Sequence, residues 1–256
     1  MNETIQPVCQ ADHVTKAYPV SAFRSFEAVK DVTLSIYPGE TLGLVGESGS
    51  GKSTLGRQLV ALEQPTKGTV RYQGHDLHDK AALKGVRTQL QMVFQDTYAS
   101  LNPRKTVFQT LYEPMAYHGL ADRGNGREQV NRLLDMAELP RAFANRYPHA
   151  LSGGQRQRVC IARALALNPR FVVWDEPVSA LDVTVAAQIL ELMKQLQREL
   201  GLTSVFIGHG IGAVAYVSQR LAVMKDGRLV EVGETDQILN HPKDPYTRTL
   251  IQAARY

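Results

Sequence analysis

Gly46-Glu47-Ser48-Gly49-Ser50-Gly51-Lys52-Ser53 fits the pattern GxxxxGK[ST], and its flanks give the pattern meaning. The nearly all-apolar Thr41 to Val45 before it reads as a central strand covered on both faces, and an apolar-faced helix from about Lys52 to Leu62 follows. The glycines let successive backbone N–H groups converge on phosphate oxygens. The helix beginning near Lys52 adds its positive end, Lys52 neutralises charge on the β and γ positions, Ser53 offers a hydroxyl to Mg²⁺, and Thr54 completes the turn. A buried strand, a glycine loop and a helix in that order predict an α/β chain with a nucleoside triphosphate site.

Outward from the loop the grammar changes in blocks. Thr33 to Tyr37 alternates in polarity like a half-buried strand, Pro38-Gly39 is a turn, and the first 40 residues read as strands. After the turn Pro65-Thr66-Lys67-Gly68 come the strands Thr69 to Tyr72 and Leu90 to Phe94. Residues 100–150 lose the strand pattern: Val107, Leu111 and Met115, then Val130, Leu133, Leu134 and Ala137, recur at helical spacing up to Pro148, which predicts a helical insert. From Ser152 a helix to Leu167, a strand Phe171 to Trp174, a helix Val183 to Leu200 and a strand Thr203 to Gly208 form the parallel βαβ pattern. Val185, Ile189, Leu192, Met193, Leu196 and Leu200 make one apolar stripe on the long helix, as packing on a sheet requires. Arg220 to Met224 and Arg228 to Val232 flank an Asp226-Gly227 hairpin turn, and two short helices close the chain. The expected organisation is one domain over 1–256. Its nucleotide-binding core and antiparallel β subdomain take about 8–99 and 151–232, the inserted α-helical subdomain about 100–150, and the C-terminal helices 233–256.

Composition narrows the setting. With 256 residues, 43% hydrophobic and 21% charged, the chain is ordinary globular material, long enough to bury a continuous core. Its longest apolar run, Ala213 to Val217, is five residues against the roughly 20 of a membrane-spanning helix, so other chains must do any spanning. Met1 to Pro7 carries neither a basic region nor an apolar stretch, which predicts no secretory signal and a cytosolic chain. The net charge of +4 is interspersed, which does not favour nucleic acid. Cys9 and Cys160 have no CxxC or Cys/His neighbours, so neither a zinc site nor an iron–sulfur cluster is expected, and both read as buried structural thiols.

The acidic half of a triphosphate site belongs at the end of a buried strand, where Phe171-Val172-Val173-Trp174-Asp175-Glu176 supplies it. Asp175 is the Mg²⁺ candidate. A second carboxylate at a strand end is costly without a task, which assigns Glu176 to orienting the attacking water. No NKxD guanine-reading motif occurs, so adenine is favoured. Leu151-Ser152-Gly153-Gly154-Gln155-Arg156-Gln157-Arg158 reads physically as a second anion trap, with Ser152 an N-cap and the glycines baring helix amides.

That stretch closely resembles the signature of ATP-binding cassette (ABC) proteins. The resemblance implies that Ser152, Gly153, Gly154 and Gln155 close in trans on ATP held by a second subunit, a copy or a paralogue, in a head-to-tail dimer. It further implies a D-loop at Ser179-Ala180-Leu181-Asp182, with Asp182 at the dimer contact, and a Q-loop glutamine at Gln95 that touches Mg²⁺ and the water. His209 is similar to the switch histidine at the γ-phosphate, and Tyr18 to the aromatic that stacks on adenine, with Phe23 and Phe26 as competitors.

Gln95 to Arg104 and His241-Pro242-Lys243-Asp244-Pro245-Tyr246-Thr247 resemble the ATPases of oligopeptide, dipeptide and nickel importers. Such a chain would lie on the cytosolic face of a bacterial membrane. It would hydrolyse Mg-ATP and serve two permease subunits and, indirectly, an extracytoplasmic binding protein. The insert would join Gln95 in a groove for a permease helix, with Tyr98 and Leu101 at the contact. Two departures stand out. The chain stops at Tyr256 without the cysteine-rich tail of many oligopeptide-type members, which tilts it toward nickel-type relatives. Gly210-Ile211-Gly212 also replaces the usual Asp-Leu after His209, which with Gly208 predicts a permissive loop. The competing class is a soluble ABC ATPase acting on nucleic acid or ribosomes. Its members carry paired cassettes or coiled-coil inserts, and this chain has one cassette and neither insert.

Overall fold

The computed structural model describes residues 6–21 and 24–253. Phe23 therefore lies outside the described residues. The chain starts with two 13-residue strands, β1 (Cys9–Ser21) and β2 (Arg24–Ile36), followed by β3 (Thr41–Val45) and α1 (Lys52–Leu59). Next come β4 (Lys67–Tyr72), β5 (His75–Asp76), α2 (Lys80–Val86), β6 (Leu90–Val93) and α3 (Thr97–Ser100). Two insert helices, α4 (Val107–Tyr117) and α5 (Gly126–Met136), lead into α6 (Gly153–Leu165) and β7 (Phe171–Asp175). The remainder is α7 (Val183–Leu200), β8 (Thr203–Gly208), α8 (Ile211–Val217), β9 (Arg220–Lys225), β10 (Arg228–Glu234), α9 (Thr235–Asn240) and α10 (Pro245–Ala253). Among the described residues no helix is long and apolar enough to cross a membrane.

Two sheets form. The smaller is antiparallel in the order β2-β1-β4-β5, and the larger runs β10-β9-β3-β8-β7-β6. In the larger sheet β9, β3, β8, β7 and β6 are mutually parallel, and only β10 is antiparallel to its neighbour. The hairpin joining β9 to β10 turns at Asp226 and Gly227, both at positive φ (47° and 85°), the geometry that a tight two-residue hairpin demands.

The large sheet is buried on both faces, and strand alternation divides its side chains between two apolar clusters. On β7, Val172 and Trp174 face one cluster with α6 and α7, while Phe171 and Val173 face the other with α1 and β1. Cys160 of α6 belongs to the first cluster and Cys9 of β1 to the second, and both thiols are free and buried. Burial pushes the Cys160 thiol up to about 11 and Cys9 higher still. Each parallel strand ends at the same edge of the sheet. That edge carries the phosphate loop after β3, Gln95 after β6, Asp175 and Glu176 at β7 and His209 after β8.

Some expectations change. The helix after the phosphate loop stops at Leu59, not Leu62. The strand expected from Thr33 is the end of the longer β2, whose earlier half has mixed polarity because it pairs along β1 at the sheet margin. Leu101, expected at a permease contact, is 2% exposed within the core, leaving Tyr98 (65% exposed) to face outward.

Candidate functional site

The phosphate loop is shaped by close backbone approach. Gly46 sits at φ +150°, and an added Cβ would lie 2.0 Å from the Met224 carbonyl oxygen; Gly51, at φ +101°, would meet Ala28 O at 2.1 Å. Gly51 is also the N-cap of α1 and offers no side-chain cap, so the first helical N–H groups stay available to an anion. Lys52 is buried, and its Nζ donates to the carbonyls of Gly46 at 2.8 Å and Glu47 at 2.7 Å. Burial lowers its pKa, opposed by the nearby Glu176, Asp175 and Glu47 carboxylates.

Ser53 Oγ donates to Asp175 Oδ1 at 2.8 Å. Burial raises the Asp175 pKa, and the bond from Ser53 and the charges of Arg57, Lys52 and His209 offset this only in part. The adjoining Glu176 is 6% exposed, with its backbone held at φ +48° by an N–H bond to Ile207 O at 3.0 Å. Its Oε2 accepts from Gln95 Nε2 at 2.7 Å, and its Oε1 lies 2.5 Å from His209 Nε2. Three strand ends thus bring Gln95, Glu176 and His209 into one cluster.

A cavity of about 370 Å³ runs beside this cluster. It is lined by Tyr18, Phe26 and Ala28 of the two long strands, by Ser48, Gly49, Gly51, Lys52, Ser53, Thr54 and Arg57 of the phosphate loop and α1, and by Gln95, Glu176 and His209. Tyr18 and Phe26 are cross-strand partners, so both aromatics stand at the same mouth. Tyr18 is the fixed one: its hydroxyl donates to Glu63 Oε1 at 2.6 Å, and Lys16 and Arg57 pair with the same carboxylate. Burial raises the Glu63 pKa, but hydrogen bonds from Tyr18, Lys16 and Arg57 outweigh it and hold the carboxyl below its ordinary range. Glu63 and Arg57 escape the sequence reading, because nothing in the chain marks a residue 45 positions from its partner.

The second anion trap is built elsewhere. Ser152 Oγ accepts from Gln155 N at 3.3 Å while Gln155 Oε1 accepts from Ser152 N at 3.0 Å, a reciprocal cap on α6. Gly154 is needed for packing: a Cβ there would lie 2.4 Å from Val185 Cγ1 of α7. Asp182 caps α7 through Val185 N at 3.0 Å, and beside it Val183 is 87% exposed. Ser152, Gly153, Gly154, Gln155 and Asp182 are outside the lining of the cavity.

The loop around His209, expected to be permissive, adopts ordinary backbone angles in the structure. Gly208 ends β8 where a Cβ would lie 2.7 Å from Val214 Cγ2, Gly210 caps α8 at φ −82°, and Gly212 lies in the first turn of that helix. None of the three has positive φ, so the helix, not glycine freedom, sets the backbone beside His209.

A family model described as ABC transporter matches residues 29–179. The oligopeptide transport ATP-binding protein OppF of Bacillus subtilis (strain 168) is 48% identical over 242 residues, 93% of this chain and 79% of that protein. The glutathione import ATP-binding protein GsiA of Pectobacterium atrosepticum is 45% identical over 256 residues, covering 97% of this chain but only 41% of GsiA. Among solved structures, the ATP-binding cassette MJ0796, described as a dimer in a post-hydrolysis state bound to ADP and Pi, superposes with a TM-score of 0.80. It is 34% identical, and the match covers 89% of this chain and 98% of that one.

Proposed function

The chain belongs to the ABC transporter family, as an ATP-hydrolysing subunit of the importer kind, and from that premise we propose that it cleaves ATP in the cavity between Tyr18 and His209 to energise peptide uptake. The observation that carries this reading is the convergence of Gln95 and His209 on the two oxygens of Glu176, next to the phosphate loop. Adenine stacks on Tyr18 at one end, the phosphates lie along the α1 N-terminus, and the γ-phosphate reaches Glu176 at the other. Lys52 exchanges the Gly46 and Glu47 carbonyls for phosphate oxygens. Glu176 orients the attacking water by accepting its hydrogen bond, and His209, 44% exposed, moves onto a γ-phosphate oxygen.

Mg²⁺ fits this donor set. Ser53 Oγ and Asp175 Oδ1 are hard oxygen donors within 2.8 Å of each other, with the Gln95 amide as a further candidate. When bound, the ion supplies positive charge against the β- and γ-phosphates.

Each site is completed by a second subunit, a copy or a paralogue, whose Ser152, Gly153, Gly154, Gln155 and Asp182 close on this chain's ATP. The exposure of Val183 and the dimeric state of MJ0796 support that arrangement. Two permease subunits carry the membrane-spanning part, with the ATPase on their cytoplasmic side and an extracytoplasmic protein delivering cargo. The cargoes named for OppF and GsiA are peptides, which favours a peptide over a nickel complex. The test is Glu176→Gln, which keeps the shape and removes the carboxylate: ATP binding persists and steady-state hydrolysis nearly vanishes. Turnover within about threefold of wild type rejects the assignment of Glu176.

A further inference from the structure

The stretch His241-Pro242-Lys243-Asp244-Pro245-Tyr246-Thr247 has no part in the site as described so far, yet it reaches the phosphate loop. It leads into α10 and is clamped from two sides. Glu231 of β10 accepts the backbone N–H groups of Lys243 at 2.9 Å and Asp244 at 3.1 Å, and Asp244 Oδ1 accepts that of Tyr246 at 2.8 Å. The buried Thr247 and Ile251 seat α10, whose first turn carries Tyr246. From this base the Tyr246 ring lies against Lys225, with Nζ 4.7 Å from the ring centroid, and its hydroxyl accepts the Glu47 backbone N–H at 3.1 Å.

Glu47 is the second residue of the phosphate loop. Its carbonyl accepts from Lys52 Nζ and from the Ser50 N–H, so Tyr246 and Lys52 each hold one of the two backbone polar groups of Glu47. Gly46 before it is fixed against the Met224 carbonyl, which leaves the Glu47 N–H as the next point where the loop can be held or released. Lys52 must leave the Glu47 carbonyl to meet phosphate, whereas the Tyr246 contact has no such competitor. We infer that Tyr246 is a positioning residue for nucleotide binding: its hydroxyl pins the entry of the phosphate loop to the C-terminal segment while Lys52 changes partners. This rests on the reading of the loop as the ATP site.

The physical effect is specific. Glu47 is exposed, so water can replace the hydroxyl as acceptor, and losing the contact costs the fold little. What is lost is order. A loop free to sample more conformations must surrender them when it closes on phosphate, and nucleotide affinity bears that cost.

The experiment compares the full chain with Tyr246→Phe, Glu231→Gln and Thr249→Ala, measuring Mg-ADP affinity, ATPase kinetics and unfolding without nucleotide. Tyr246→Phe keeps the ring on Lys225 and removes only the hydroxyl. It should raise the ADP Kd and the KM for ATP roughly three- to tenfold, the range of one hydrogen bond, with kcat within about twofold and Tm within about 1 °C. Glu231→Gln, which weakens the clamp, should shift the same quantities less. Thr249→Ala, on the exposed side of α10, should shift none. Unchanged ADP affinity in Tyr246→Phe overturns the inference, and so does a fall in affinity matched by a fall in Tm, which marks a merely structural contact. A wild-type chain that takes up no ADP overturns the ATP-site reading first, and this inference with it.

Discussion

His209 Nε2 lies 2.5 Å from Glu176 Oε1, and the other oxygen of the same carboxylate holds the Gln95 amide. A carboxylate engaged on both oxygens takes a water into its shell most readily when one partner moves away. His209 is the more exposed of the Glu176–His209 pair, and the γ-phosphate offers it a stronger acceptor. In the proposed mechanism, recognition of the γ-phosphate and release of the Glu176 carboxylate are one movement, and a diphosphate would leave His209 where it is.

His209→Ala should therefore keep ATP affinity within a few-fold while lowering kcat by about a hundredfold, the ordinary weight of a positioned polar group in a transition state. Steady-state hydrolysis beside direct ATP binding separates the two quantities. Loss of both together would place His209 in ground-state binding only.

Lys52→Ala should show the opposite profile. Its ammonium is buried at a cost that lowers its pKa, so removing it changes the nucleotide-free Tm little, whereas ATP affinity falls by roughly ten- to a hundredfold. Titration with ATP and ADP checks this, and an unaltered affinity would deny Lys52 its phosphate contact.

Asp175→Asn tests the energetic cost of the site. Burial raises the Asp175 pKa, so the folded state holds this proton more tightly than the unfolded chain. Stability then falls as pH rises from near 3.8 through the folded value, and the deficit persists at neutral pH. Asn cannot ionise and still accepts from Ser53. The variant should unfold at a higher temperature than wild type at pH 7, with no such gain near pH 3 and with hydrolysis lost. A lower Tm at pH 7 contradicts the sign.

Ser152→Ala removes the N-cap of α6, at a cost of about 1 kcal/mol, at a residue outside the lining of the chain's own cavity. Nucleotide binding by the isolated subunit should persist while turnover falls. Turnover of the wild-type chain should rise more than linearly with its concentration, as expected where two subunits complete each site. Turnover proportional to concentration, with Ser152→Ala unimpaired, would remove the trans assignment.

The sequence was most legible where function is written contiguously. The phosphate loop, the Asp175-Glu176 strand end and the Ser152–Gln155 cap each lie within a few residues, so spacing alone points to the chemistry proposed for them. Contacts spanning long stretches of chain were not legible. Tyr18 meets Glu63 across 45 positions and Tyr246 meets Glu47 across 199, and no local pattern encodes such a pairing. The glycines beside His209 differ in a way composition does not show: Gly208 is packed against Val214, while Gly210 and Gly212 have open space where a Cβ would stand. Leu101 looked available in a loop-like stretch because burial depends on what folds over a residue.

The two thiols give this molecule a pair of built-in clocks. Cys9 and Cys160 lie on opposite faces of the large sheet, each with its pKa raised by burial, so alkylating reagents reach them only as the surrounding cluster opens. The rate of modification at each cysteine therefore reports the opening of the cluster around it. If α1 receives the phosphates as proposed, adding nucleotide should slow the Cys9 clock more, because Leu55 and Leu59 of α1 pack in its cluster.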